Sequence, residues 1–531
     1  MRDLSSPLGG VTRRTGIRFK YTEGNNYSRL FETTRMPFPL KLQQHKTLPG
    51  KTALDALEHW IALLPAADFE QACARLPYGD FILRVCRRTE KPQRARPPVV
   101  LNLPNGIASQ LCIAGVGDKT AAFDLLTLAR RLVADPLRSG PSEIGIVIAG
   151  FHGAEATRMA EALLAAVLAA IAEMPRYKRS RQERQALKLV HLYGIEAKDG
   201  FQRTFAEAEG NNLARYLTGL PPNALTPRLY RKRVAVIAKE NRWRMEFLDT
   251  RALAQKKAGA FLAVAQGSPE PDAGIIHLQY HPARKRERGG VTLVGKGICF
   301  DTGGVNLKPA SFMLGMHKDM QGSAVALGTL LALTRLRVPF PVHCWMALAT
   351  NHIGPRAYKP NDVVTASDGT TIEVINTDAE GRMVLADTLA LASGEKPALI
   401  IDFATLTGSC KRALGNAYSG VFTNRPKHLP ALIAAGSDSG ERVWPFPADE
   451  DYDEFLESTV ADTKQCHEEG IADHIVAARF LQRFVKRDIP WIHVDLSSGT
   501  HKGGLAHVPS DITGFGVRFA LNLLLDKKLI G

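Results

Sequence analysis

The run Val374-Ile375-Asn376-Thr377-Asp378-Ala379-Glu380-Gly381-Arg382 sets two carboxylates two residues apart at the end of an apolar stretch. While the chain stays extended, alternate side chains share a face, so Asn376, Asp378 and Glu380 are expected to point the same way. Like charges so placed repel, and their pKa values rise unless a cation neutralises them. Two further acids lie upstream: Asp301, after the glycine-rich Gly295-Lys296-Gly297, and Asp319, in His317-Lys318-Asp319-Met320. Taken alone, Lys296 and Asp301 would read as an ion pair at a turn. As a set, the four carboxylates Asp301, Asp319, Asp378 and Glu380 carry a charge that two divalent ions cancel and one does not. Oxygen ligands alone suit Mg or Mn, whereas a neutral amine from Lys296 would shift the preference towards Zn, Mn or Co. Deprotonating that lysine near neutral pH costs about 4 kcal/mol, which only direct coordination makes reasonable. Paired metals generate a hydroxide at neutral pH and polarise a carbonyl or phosphoryl oxygen, so the chemistry expected is metal-assisted hydrolysis. Lys308 and Arg382 remain as cations able to steady an oxyanion or hold an anion. A helix expected over residues 382–392 would add free backbone amides beside Arg382.

Groups this far apart in the chain need a sheet to bring them together, and in open α/β sheets sites form at the carboxyl ends of strands. Apolar runs at 292–294, 342–349, 371–375, 399–403 and 491–494 predict strands, with helices such as 323–336 between them. Strands this apolar are covered on both faces, as in a mostly parallel sheet flanked by helices. Further upstream, short apolar runs at 81–85, 111–114 and 144–149 alternate with helical patterns at 121–133 and 159–174, which predicts a smaller α/β domain. A new helical pattern over 205–217 puts the boundary near 195–200. The fold class expected is therefore α/β: a small N-terminal α/β domain over 36–195, then a larger catalytic domain over 196–531 with a mostly parallel or mixed sheet.

With 531 residues, 45% hydrophobic and 23% charged, the composition is that of an ordinary globular protein and excludes a disordered or fibrous chain. The longest apolar stretch, 162–172, has eleven residues, against roughly 20 for a membrane span. Seven scattered cysteines, never spaced C-x-x-C, suggest neither a disulfide framework nor a thiolate zinc site and fit a reducing cytoplasm. Residues 1–35 hold seven Arg or Lys against three acids and no apolar h-region; they read as a disordered basic leader, an extension upstream of Met36, or a weak transit peptide, but not as a secretory signal.

The heptapeptide Asn376 to Arg382 resembles, letter for letter, the signature of the leucyl (cytosol) aminopeptidases, the M17 metallopeptidases. Further pieces fall in order: Pro221-Pro222-Asn223, Val294-Gly295-Lys296-Gly297, Phe300-Asp301-Thr302-Gly303-Gly304, Leu307-Lys308-Pro309, Asp319-Met320, Ala404-Thr405-Leu406-Thr407-Gly408 and Thr513-Gly514-Phe515-Gly516. The steps Lys296 to Asp301 to Lys308 to Asp319, of 5, 7 and 11 residues, follow the family pattern. The resemblance is strong over about 200–531 and weak over 80–195. It implies that Lys296, Asp301, Asp319 and Glu380 surround the tighter metal, and that Asp301, Asp378 and Glu380 hold the exchangeable one, with Asp301 and Glu380 bridging. The metals implied are Mn or Zn, with Co or Mg as alternatives. Peptides are the implied substrates, the free α-amine going to one metal and the scissile carbonyl to the other, with a bridging hydroxide attacking. Lys308 would stabilise the oxyanion. Arg382 would hold a bicarbonate that shuttles the proton to the leaving amine, helped by backbone groups of Gly381 and Leu406. Met316, Met320, Asn376 and Thr405 would line the substrate side, and the assembly implied is a homo-hexamer. The sequence departs from the family pattern at Asn306, His317 and Gln321, which bears on the substrate pocket and on metal preference.

Other readings compete less well. Residues 467–471 lack the second histidine of H-E-x-x-H, no G-x-S-x-G occurs, and 115–120 lacks phosphate-loop spacing. Cys466, His467 and His474 lack a fourth zinc ligand, and His317 reads as a hydrogen-bonding helix-start residue rather than a ligand. The net charge of +15, with basic stretches at 1–35 and 176–188, motivates nucleic-acid binding as an added activity. The second stretch reads more simply as a solvated face, and gel shifts at low and moderate salt separate the two.

Overall fold

The structure, a computed structural model, describes residues 40–89, 98–179, 186–283 and 289–529. The basic leader and the centre of the 176–188 stretch lie outside the described residues.

The strands up to residue 193 form one six-stranded sheet: β1 (Lys41–His45), β2 (His59–Pro65), β3 (Val99–Asn102), β4 (Gln110–Val116), β5 (Glu143–Ile148) and β6 (Leu189–Tyr193), in the order β1-β6-β5-β2-β4-β3. All its pairings are parallel except that of the edge strand β3. Alternation along β2 explains why it is central. Ile61 and Leu63 join one apolar core under the helices Ala122–Ala134 and Gly153–Ala170, while Trp60, Ala62 and Leu64 join another on the opposite face. The apolar run at 81–85 is helical, within Gly79–Thr89, because its buried positions Ile82 and Cys86 recur at helical spacing. A run that short does not reveal its own period.

The second sheet has eight strands: β7 (Arg244–Asp249), β8 (Gly274–Tyr280), β9 (Val291–Asp301), β10 (Val342–Asn351), β13 (Leu399–Ala404), β14 (Ser419–Thr423), β15 (Val443–Pro445) and β17 (Trp491–Asp495), in the order β15-β14-β17-β13-β9-β10-β8-β7. Its centre, β17-β13-β9-β10, is parallel, and antiparallel pairings flank it. Four of the expected strands are these central ones. The fifth, 371–375, does not enter this sheet. It is β12 (Thr371–Glu373), which with β11 (Val363–Thr365) and β16 (Thr463–Lys464) makes a small separate sheet.

Helix Gln321–Arg335 lies directly on β9 and β13. A Cβ at Gly322 would meet the Phe403 carbonyl oxygen at 2.0 Å, so only glycine allows this approach. The contact sets Asp319, just before the helix, against Lys296 in the middle of β9. Helix Glu380–Ser393 packs on the same strand and brings its first residue to the same place.

Candidate metal centre

Asp301 is the last residue of β9, Lys296 lies within it, Asp319 precedes one helix and Glu380 begins another. Oxygens of Asp301, Asp319 and Glu380 all lie within 4.8 Å of one another. These carboxylates are buried, with 2%, 7% and 1% of their surface exposed, a setting in which uncompensated charge is costly.

Two ammonium groups stand among the acids. Lys296 Nζ is 2.9 Å from Asp319 Oδ2 and 2.8 Å from Glu380 Oε1, and donates to the Thr405 carbonyl at 3.0 Å. Lys308 Nζ is 2.8 Å from Asp301 Oδ2 and also touches Asp378 Oδ1. Burial pulls both lysines down, but the surrounding carboxylates outweigh it and hold both above the ordinary lysine value. Burial pushes the Asp378 carboxyl up to about 7, and repulsion from Asp301 and Glu380 adds to this. Asp319 is likewise pushed up by burial, against the pull of Lys296.

The donor set fits metal ions. Asp319 Oδ2, Asp378 Oδ1 and Glu380 Oε1 are buried and accept no hydrogen bond of ordinary geometry, although a lysine ammonium lies beside each as an ion-pair partner. Two of the acids, Asp301 and Asp319, are also oriented through their second oxygen. Asp301 Oδ1 accepts from Gly303 N and Asn351 Nδ2, each at 2.8 Å, and Asp319 Oδ1 accepts from Thr405 Oγ1 at 2.7 Å. Carboxylates oriented on one side, with only lysine ammonium groups on the other for a cation to displace, are what coordination requires.

The signature segment is not extended through Glu380, as alternation had led one to expect. Strand β12 ends at Glu373, and the chain then turns: Asp378 N donates to Asn376 Oδ1 at 2.8 Å and Ala379 N to the Asn376 carbonyl at 3.0 Å. The helix begins at Glu380, two residues before the expected start, so Glu380 itself occupies its electropositive first turn. Asn376 thus spends its side-chain oxygen on the turn. Asp378 pairs with Lys308, while Glu380 joins Asp301 and Asp319.

The other expected residues divide. Met316 is half-buried in a short 3-10 turn, whereas Met320 is fully buried. Thr405 orients Asp319 and Lys296. Gly381 is buried against Lys296. Leu406 donates its N–H to Asp495 Oδ1 at 3.1 Å. Arg382 is buried, donating to the Gln465 carbonyl at 3.0 Å and pairing with Asp473 at 2.7 Å, and its Nε has no partner. His317 does not belong to the acidic cluster, and Cys466, His467 and His474 form no metal-holding group among the described residues.

Sequence reasoning passed over Asn351, Thr377, Gln465 and Asp495. Asn351 ends β10 beside Asp301 and also donates to the Thr377 carbonyl at 3.0 Å. Its place just after an apolar run was a readable signal. Gln465 Oε1 accepts from Ile375 N at 2.6 Å and Asn376 N at 3.1 Å, holding the signature loop from 90 residues away in sequence, and nothing local marks it.

Buried carboxylates and lysines gathered at the carboxyl ends of a mixed sheet's central strands define a metal-dependent hydrolase of the α/β class. The chain belongs to the cytosol aminopeptidase family, M17, whose catalytic domain matches residues 212–521. It is 35% identical over 470 residues to a probable cytosol aminopeptidase of Parasynechococcus marenigrum, covering 87% of this chain and 95% of that one. Among solved structures it resembles a mutant of tomato leucine aminopeptidase, at 27% identity and a TM-score of 0.80 over 92% of this chain and 97% of that one. It also resembles the bottromycin maturation enzyme BotP in complex with Mn, at 29% identity and a TM-score of 0.77 over 88% and 99%. The protein is a hydrolase, an aminopeptidase of this metal-dependent family. No helix among the described residues is long and apolar enough to cross a membrane.

Proposed function

We propose that this aminopeptidase removes N-terminal residues from peptides with two divalent ions, Mn or Zn before Co or Mg, held by Lys296, Asp301, Asp319, Asp378 and Glu380. The observation that carries the reading is the meeting of Asp301, Asp319 and Glu380 oxygens within 4.8 Å, a concentration of buried negative charge that Lys296 and Lys308 offset only in part. Divalent ions there would lower the pKa of water and polarise a peptide carbonyl.

The chain's own groups supply the rest. Lys308, with 13% of its side chain exposed, remains an ammonium at the rim of the cluster and donates to the oxyanion that develops on the scissile carbonyl. Lys296 is buried to the point that its amine serves as a ligand only once a cation takes over the carboxylates that now hold its proton. Arg382, fixed by Gln465 and Asp473, keeps a positive charge and an unpartnered Nε, which supports a site for bicarbonate as proton carrier between water and the leaving amine. Half-buried Met316 would line the substrate side. The family resemblance further supports a homo-hexamer in the cytoplasm, and a division into an N-terminal α/β domain and a catalytic domain near 195–200 agrees with the first sheet ending at Tyr193.

The test is hydrolysis of a panel of aminoacyl amides after chelation and add-back of Mn, Zn, Co and Mg. Activity that survives complete chelation, or returns with one bound equivalent per chain, would overturn the two-metal reading.

A further inference from the structure

A second group of potential ligands lies at the opposite end of the same strands. His277 on β8 and His343 on β10 are diagonal neighbours on one face, since His277 stands opposite Trp345 and His343 opposite Gln279 in the antiparallel ladder. Glu395 joins them from the turn that follows helix Glu380–Ser393. That helix therefore begins at the peptidase centre and ends at this cluster, about 20 Å away at 1.5 Å per residue. The ladder agrees: His343 aligns with Thr292 at the start of β9, and Asn351 with Asp301 at its end.

His277 Nε2 lies 3.1 Å from His343 Nδ1 and 3.6 Å from Glu395 Oε2, and His343 Nδ1 also touches Glu395 Oε2. A proton on His343 Nδ1 serves Glu395 when no ion is bound. A cation in its place is shared by all three ligand atoms, which lie within 4.8 Å of one another. Nitrogen and oxygen ligands at about 2.0–2.1 Å from a tetrahedral ion stand about 3.3 Å from each other, close to the two spacings of His277 Nε2, while the closer His343–Glu395 pair has to open as the ion replaces the proton between them. Glu395 is 34% exposed and His343 20%, so the cluster opens to solvent, and water can complete the coordination. Arg244, on the adjoining strand β7, is the opposing charge the ion must outweigh.

We propose that His277, His343 and Glu395 form a separate site for a divalent transition ion of the zinc class, remote from the peptidase centre. Two imidazoles and one carboxylate are the donor set that favours such an ion over Mg or Ca.

The test counts metal. The holoenzyme and the variants Glu395→Gln and His343→Gln are dialysed against micromolar Zn, and total Zn plus Mn per chain is measured by mass spectrometry beside aminoacyl-amide hydrolysis. Both variants are expected to lose one equivalent per chain relative to the parent, keep its hydrolytic rate, and lose a Zn-dependent rise in Tm. Glu395→Gln changes a partly exposed turn residue, so its circular dichroism should match the parent and keep the comparison valid if His343→Gln folds poorly. Equal metal content in a folded Glu395→Gln variant and the parent overturns the proposal. So does a lost equivalent accompanied by lost hydrolysis, because the metal then came from the peptidase centre.

Discussion

Gly381 and Lys296 meet so closely that a Cβ at position 381 would lie 2.7 Å from both Lys296 Nζ and Cε. The lysine reaches Glu380 only because the next residue has no side chain. Gly381→Ala is therefore expected to push the amine off Asp319 and Glu380 and to weaken metal binding by about 10–100-fold, the usual cost of disturbing the support of a ligand. Metal titration of the variant checks this, and an affinity equal to the parent's would show that Lys296 is not a ligand.

Glu380→Ala is expected to abolish hydrolysis and lower bound metal while the far-UV circular dichroism stays that of the parent. A variant that keeps full activity and a full complement of metal would refute the centre.

For Lys308→Ala, the loss should fall on kcat rather than KM, by about 10²–10³-fold, since the ammonium is assigned to charge that appears only in the transition state. Steady-state kinetics decides: a raised KM with unchanged kcat would reassign the residue to ground-state binding.

Thr405→Val keeps the shape of the side chain and removes the 2.7 Å hydrogen bond to Asp319 Oδ1. Weaker metal affinity, by about 10-fold or more, with little change in Tm, is the expected result. Competition with a chelator measures it, and an unchanged affinity would show that Asp319 needs no such support.

Stability should fall as pH rises from about 5 to about 7. Burial pushes the Glu441 carboxyl up to about 7 from an ordinary 4.5, against the pull of the Phe519 and Gly516 amides that it accepts. An acid that holds its proton more tightly when folded contributes stability that is complete below its unfolded pKa and lost as pH passes its folded value. The difference corresponds to up to about 3 kcal/mol. Glu441→Gln keeps an acceptor for both amides, so its Tm should decline less than the parent's between pH 5 and 8. Parallel declines would show that another group titrates.

Legibility in the sequence followed burial. The central strands β9, β10, β13 and β17 were readable because burial on both faces demands long apolar runs, whereas edge strands β7 and β15, partly exposed, carry no such mark. The run at 371–375 has the same apolar look but belongs to a small satellite sheet. What fixes it there is Gln465, Asp362 and Asn361 bonding its backbone, a tertiary matter.

Residue types and spacing by themselves pointed to a metal site, because four acids in an apolar setting carry more negative charge than Lys296 and Lys308 offset. They did not determine how the acids meet. Only the folded chain decided that Asp378 turns towards Lys308 while Glu380 opens a helix beside Asp301 and Asp319, since the turn at Asn376 depends on bonds from remote segments. The same holds for His277, His343 and Glu395, which nothing local connects. Strand register and the length of one helix place them together, and these are properties of the packed sheet rather than of any segment in it.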